Sequence, residues 1–343
     1  ETASSFVEAA AKQPGPATLH SLAHVIWLHH KLLTQQAIQT ALDALQAVQS
    51  DHQGTLRIID IGLQQFLGAD SGRMALNFLT TILRDEKITL DSFRTTASEL
   101  KRNNQQRLYE IIVSWFLSGS TALCDNVTHL IPFDEERPFD ANIASFELTP
   151  AQQVFLCRKA IGFLFTRPVI CCSILVSVLR GGDKDAADEV TDLLFEPMLV
   201  NYSGKTIDYL KEIATGDPAY AAVNKALERH QAYFSGLEST GSIKELHPSD
   251  YERDVVRQRT YDEMRAAQKA AEHQSVLLSV VHRSTLLYGK RSLTYVLDSD
   301  GSRRAVAMDL QSVGVSFEMP RHDVLDPAGL DFLLRVFRVE KLK

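Results

Sequence analysis

No apolar run in this 343-residue chain approaches the roughly 20 residues that cross a bilayer. The longest, Val169 to Leu179, ends at Arg180-Gly181-Gly182, so no membrane partner is expected. No basic segment followed by an apolar stretch opens the chain, and no secretory signal is read there. Cysteine is scarce: Cys124, Cys157, Cys171 and Cys172 all fall in apolar helical stretches. That excludes a disulfide framework, and the paired C-x-x-C spacing of a zinc site is missing. The four read as buried thiols in a reducing compartment, and a cytoplasmic location is the expectation. Excess positive charge is lacking too. With 36 Lys and Arg against 43 Asp and Glu, the net charge of −7 argues against a whole-surface polyanion binder.

What is present is a soluble protein's balance of 45% apolar and 23% charged residues, in a chain too long for one ordinary core. Residues 1–17 end in Pro14-Gly15-Pro16 and read as a lead-in. From Thr18 the chain then breaks about every 30–37 residues, and each piece reads as a pair of short amphipathic helices. The pair starts are Thr18, Thr55, Thr89, Ser120, Thr149, Asp183 and Asp217. A first sub-stack covers 18–131, an acidic irregular connection 132–148, and a second sub-stack 149–236. Thr149-Pro150-Ala151-Gln152 is a well-formed helix start, Ser203 is placed to cap the helix after Val200, and Gly236 is placed to end the last one.

The expected fold is therefore mainly α: a HEAT-like α-solenoid stack in architecture only, since no family motif accompanies the period. It falls near the tetratricopeptide period, but W-x2-L-G-x2-Y is absent. Ser249-Asp250-Tyr251-Glu252 opens a long helix over 249–288, with a seam of mostly small residues. Residues 289–343 then alternate with period two around Asp300-Gly301, a third strand being expected over Val313–Phe317. They close with a helix carrying Leu330, Leu333, Leu334 and Phe337, which makes a small α+β appendage.

Candidate chemistry is thin. Gly204-Lys205-Thr206 matches only the end of a phosphate-binding loop, because Leu199 stands where its first glycine belongs. His20 and His24 share a helix face as metal ligands would, yet Ser21 replaces the catalytic Glu of H-E-x-x-H, so no metal is expected. Glu318, His322 and Asp323 cluster as a weak acid–base candidate beside the small sheet. From Tyr251 to Arg291 eight basic residues face five acidic ones. Lys290-Arg291 and Arg303-Arg304 sit at opposite ends of the expected hairpin, and strand pairing is expected to bring them close enough to contact phosphates or a partner.

No cofactor is expected. The leading reading is a protein-interaction scaffold or adaptor within a larger complex. A nucleic-acid-associated subunit using the long helix and hairpin is the alternative, and an enzyme or effector with its site in the C-terminal module is the third.

Overall fold

A computed structural model describes residues 2–12, 15–68, 71–131, 138–139, 143–243, 249–270, 276, 292–297, 303–308 and 327–342. The described chain is mainly helical. Its first helices are α1 Thr2–Ala11, α2 Pro16–His29, α3 Gln35–Leu45, α4 Gln53–Gln64 and α5 Gly72–Ile82, followed by α6 Arg94–Asn103, α7 Gln105–Leu117 and α8 Thr121–Leu130. After the connection come α9 Pro150–Leu164, α10 Pro168–Gly181, α11 Lys184–Leu193, α12 Lys205–Lys211 and α13 Tyr220–Gly241.

Several of these begin where local chemistry places them. The Thr34 hydroxyl accepts the Ala37 amide at 3.2 Å to open α3. Thr149 and Gln152 exchange the reciprocal bonds of a capping box at α9, with Pro150 in the first turn. Asp183 accepts the Asp185 amide at 2.9 Å to open α11.

Other boundaries differ from expectation. The segment after Thr89 starts as a 3-10 turn, Leu90–Phe93, and becomes α-helical only at Arg94. Gly204, not Ser203, is the cap position of α12. Asp217 caps a turn by accepting the Ala219 amide at 2.9 Å, and α13 starts beyond it at Tyr220. Gly236 does not end α13, since one helical glycine costs only about 1 kcal/mol. After α11 the helical path is kinked within Leu194–Leu199, where Glu196 has an extended backbone immediately before Pro197. Within the expected irregular connection, Ile143–Phe146 forms a 3-10 turn, and the Phe139 amide donates to the buried Ser173 hydroxyl at 3.0 Å. The acidic residues Asp134, Glu135, Glu136 and Asp140 lie outside the described residues.

The helices bury their apolar stripes against the helix two positions on as well as the next one. Thus α1 packs on α3, α2 on α4, α3 on α5, α4 on α6 and α5 on α7; later α9 packs on α7 and α11, and α11 on α13. Leu22, Leu42, Phe78, Phe93, Trp115 and Phe116 are buried between them. α9 and α10 are buried on most sides, which explains why the longest apolar run of the sequence falls in α10.

The chain divides into two compact units, residues 1–248 with 318–343, and residues 249–317. In the second, α14 spans Asp250–Ala270; the rest of the expected long helix lies outside the described residues. Strands β1 Ser292–Leu297 and β2 Arg303–Met308 pair antiparallel, with Leu293 opposite Ala307 and Tyr295 opposite Ala305. The third strand expected over Val313–Phe317 also lies outside them. The last helix, α15 Pro327–Val339, was expected to group with the strands. It belongs instead to the first unit and packs on α9, because Leu330, Leu334 and Phe337 find a trough there.

Candidate functional site

Among the described residues, the histidine and Gly204–Thr206 candidates do not build a metal or phosphate-loop site. His20 Nδ1 lies 3.1 Å from the Thr55 hydroxyl, and His24 Nδ1 lies 3.1 Å from the His20 carbonyl oxygen. The two rings meet edge to face at 4.7 Å, each with a nitrogen already engaged. Among the described residues no three His, Cys, Asp or Glu side chains are grouped to hold a metal ion. Lys205 opens the seven-residue α12 and follows a helical segment, so the strand that a phosphate loop requires does not precede it. Arg303 and Arg304 lie in β2 opposite Leu297 and Val296. Lys290, Arg291, Glu318, His322 and Asp323 lie outside the described residues. All four cysteines are buried thiols outside any disulfide, as inert cysteines are.

The concave surface that the structure does build was not read from the sequence. It starts from Asn126 on α8, whose Oδ1 accepts the Leu90 amide at 2.9 Å and pins the 3-10 turn against that helix. Asn126 is itself oriented by donating to the Ala122 carbonyl at 2.8 Å. On the other side, the buried carboxylate of Asp60 holds the first turn of α6, accepting the Thr95 and Thr96 amides at 2.9 and 2.7 Å. With both walls fixed, two open hollows of about 350 and 250 Å³ lie side by side and share His129.

The larger hollow has Glu86, Thr121 and Asp125 around His129, and the smaller has Asp91, Arg94 and Lys101. Desolvation against these walls raises the Asp125 carboxyl pKa, and Glu86 adds to the rise, while electrostatic interaction with Arg338 and with His129 opposes it. Lys101 reaches back to the His129 carbonyl at 3.5 Å, and Arg94 pairs with Asp91 at 3.3 Å on the open rim. The groove thus runs from an acidic end to a basic end, with His129 between. Small-molecule sites enclose most of their ligand in apolar walls, whereas this groove is open and of mixed polarity. Asp125 and His129 stand four apart on α8, and that spacing is the one sequence signal that could have flagged the site.

Comparison of the chain with protein-family models, with curated proteins and with solved structures returns no match.

Proposed function

We propose that the chain is a protein-interaction scaffold or adaptor, a subunit of a larger cytoplasmic assembly, built as a HEAT-like α-solenoid. One observation carries the repeat reading: a set of side-chain bonds between helices shares nearly one sequence separation. His20 with Thr55 and Thr80 with Trp115 are 35 apart, and Asp60 with Thr96 and Leu90 with Asn126 are 36 apart. In the second half Arg180 with Asp217 and Lys225 with Asp188 are both 37 apart. A stack of helix pairs puts equivalent positions of successive units in contact, so its bonds repeat with the unit length. The β1–β2 hairpin supports reading the region after the long helix as a small appendage with β structure.

The groove beside His129 supports a protein ligand, since stacked helix pairs present concave surfaces of this type to polypeptide segments. A photo-crosslinking residue at Ser98, on the groove wall, should capture a discrete partner. Arg94→Glu with Lys101→Glu should abolish that capture without lowering the melting temperature. Equal capture from both chains would refute the groove as the docking site.

The nucleic-acid alternative draws less support. Over Asp250–Ala270 five basic residues (Arg253, Arg257, Arg259, Arg265, Lys269) are balanced by five acidic ones (Asp250, Glu252, Asp254, Asp262, Glu263). The described helix therefore offers phosphates no net attraction.

A further inference from the structure

The junction of α15 with α9 combines a short apolar trough with a dense set of directed polar contacts. Lys159 on α9 is wholly buried, and its ammonium donates to the Arg338 carbonyl at 2.6 Å. That carbonyl is in the last turn of α15, where helical carbonyls lack intrahelical partners and attract cations. The same ammonium lies 5.2 and 5.9 Å from the ring centres of Phe155 and Phe163. Arg338 answers by stacking 4.8 Å over Phe163 and donating Nε to the Gly162 carbonyl at 2.6 Å. Arg158 bridges Glu340, just past the helix end, at 2.7 Å, and also pairs with Glu189 on α11.

Shape adds a further selector. A Cβ on Gly162 would lie 3.1 Å from Phe337 Cβ and 3.2 Å from the Arg338 amide, so the glycine is what allows α15 to seat. α9 thus reads three features of a helix: apolar residues spaced four and three apart, a free carbonyl in its last turn, and a carboxylate three residues beyond the final apolar one. The helix that meets these requirements is separated in sequence from the remainder of its unit by the whole of residues 249–317.

We propose that this face of α9 is a receptor for an amphipathic helix of a protein partner, and that α15 fills it in cis as an internal stand-in. The inference rests on the adaptor reading and names the partner chemistry: a helix with the Leu330–Leu334–Phe337 spacing followed by an acidic residue, which Arg158 accepts by charge complementarity. Displacing α15 opens the face, and α15 in place closes it.

The test uses the full chain and a labelled synthetic peptide of residues 327–342. In Arg338→Ala and Leu334→Ala chains the internal helix is weakened, and amide exchange over 327–339 should rise while α9 stays protected. The peptide should then bind saturably to these chains, at least about tenfold more tightly than to the wild-type chain, whose own α15 competes. A peptide carrying Arg338→Ala should bind poorly. Unchanged exchange in both variants, or loosened α15 with no peptide uptake, would overturn the proposal and make α15 a fixed part of the core. The separate capture at Ser98 keeps the two readings distinguishable: loss of peptide uptake with capture intact removes only this inference.

Discussion

The buried carboxylate of Asp60 on α4 serves as the missing cap of α6, accepting both the amide and the hydroxyl of Thr96 at 2.7 Å. Phe93 stands at the cap position of α6 and has no side-chain acceptor, so the first-turn amides are satisfied from a helix 36 residues earlier. The bond therefore fixes the register of α6 on α4 as well as starting a helix.

Asp60→Ala should cost about 2 kcal/mol or more, since it strips a cap and leaves the Thr95 and Thr96 amides unpaired in a buried place. Asp60→Asn, which keeps an acceptor oxygen, should cost less. Urea unfolding followed by circular dichroism gives both values.

Local caps such as Thr34, Thr149 and Asp183 were legible because donor and acceptor lie within three residues of each other. Asp60 and Asn126 were not, because their partners are brought to them by stacking. The groove at His129 stayed hidden for the same reason: its walls come from segments about 30 residues apart. The apolar stripe of α15 was visible, but a stripe states that a face is covered and not which surface covers it. Only the trough at Gly162 decides that.

Stability should fall as the solution becomes alkaline. Burial raises the Cys124 thiol from its ordinary 9.0 to about 12, and Cys157 and Cys171 are raised as well, for the same reason. The unfolded chain then ionises these thiols from pH 9 upward while the folded chain holds their protons. Their stabilisation is complete below pH 9 and declines steadily above it. Lys159 works the other way. Burial lowers its pKa from 10.5, so between its folded value and 10.5 the unfolded chain binds the extra proton and stability rises with pH. Cys124→Ser should flatten the alkaline decline and Lys159→Met should steepen it, measured by denaturant titrations from about pH 8 to about pH 10.5.

Gly182 ends α10 where there is no room for a side chain. A Cβ there would lie 2.4 Å from the Val178 carbonyl oxygen and 2.5 Å from Gln153 Oε1. Gln153 is the buried staple of the α9 start, joining the Leu148 carbonyl to the Asp183 amide at 2.9 and 2.8 Å. Gly182→Ala should therefore cost about 1–3 kcal/mol by overpacking. Adding Gln153→Ala should not rescue it, since the closer obstacle is backbone. Differential scanning calorimetry of the two variants checks both statements.

The proposed repeat organisation is tested most directly by hydrogen exchange, read peptide by peptide, on Asp60→Ala beside the parent chain. In a stack whose units contact only their neighbours, protection should fall in α4, in α6 and in the α2 and α7 segments packed on them. α11 and α13 should exchange as before. An equal loss of protection from α2 through α13 would show a single cooperative core and contradict the account.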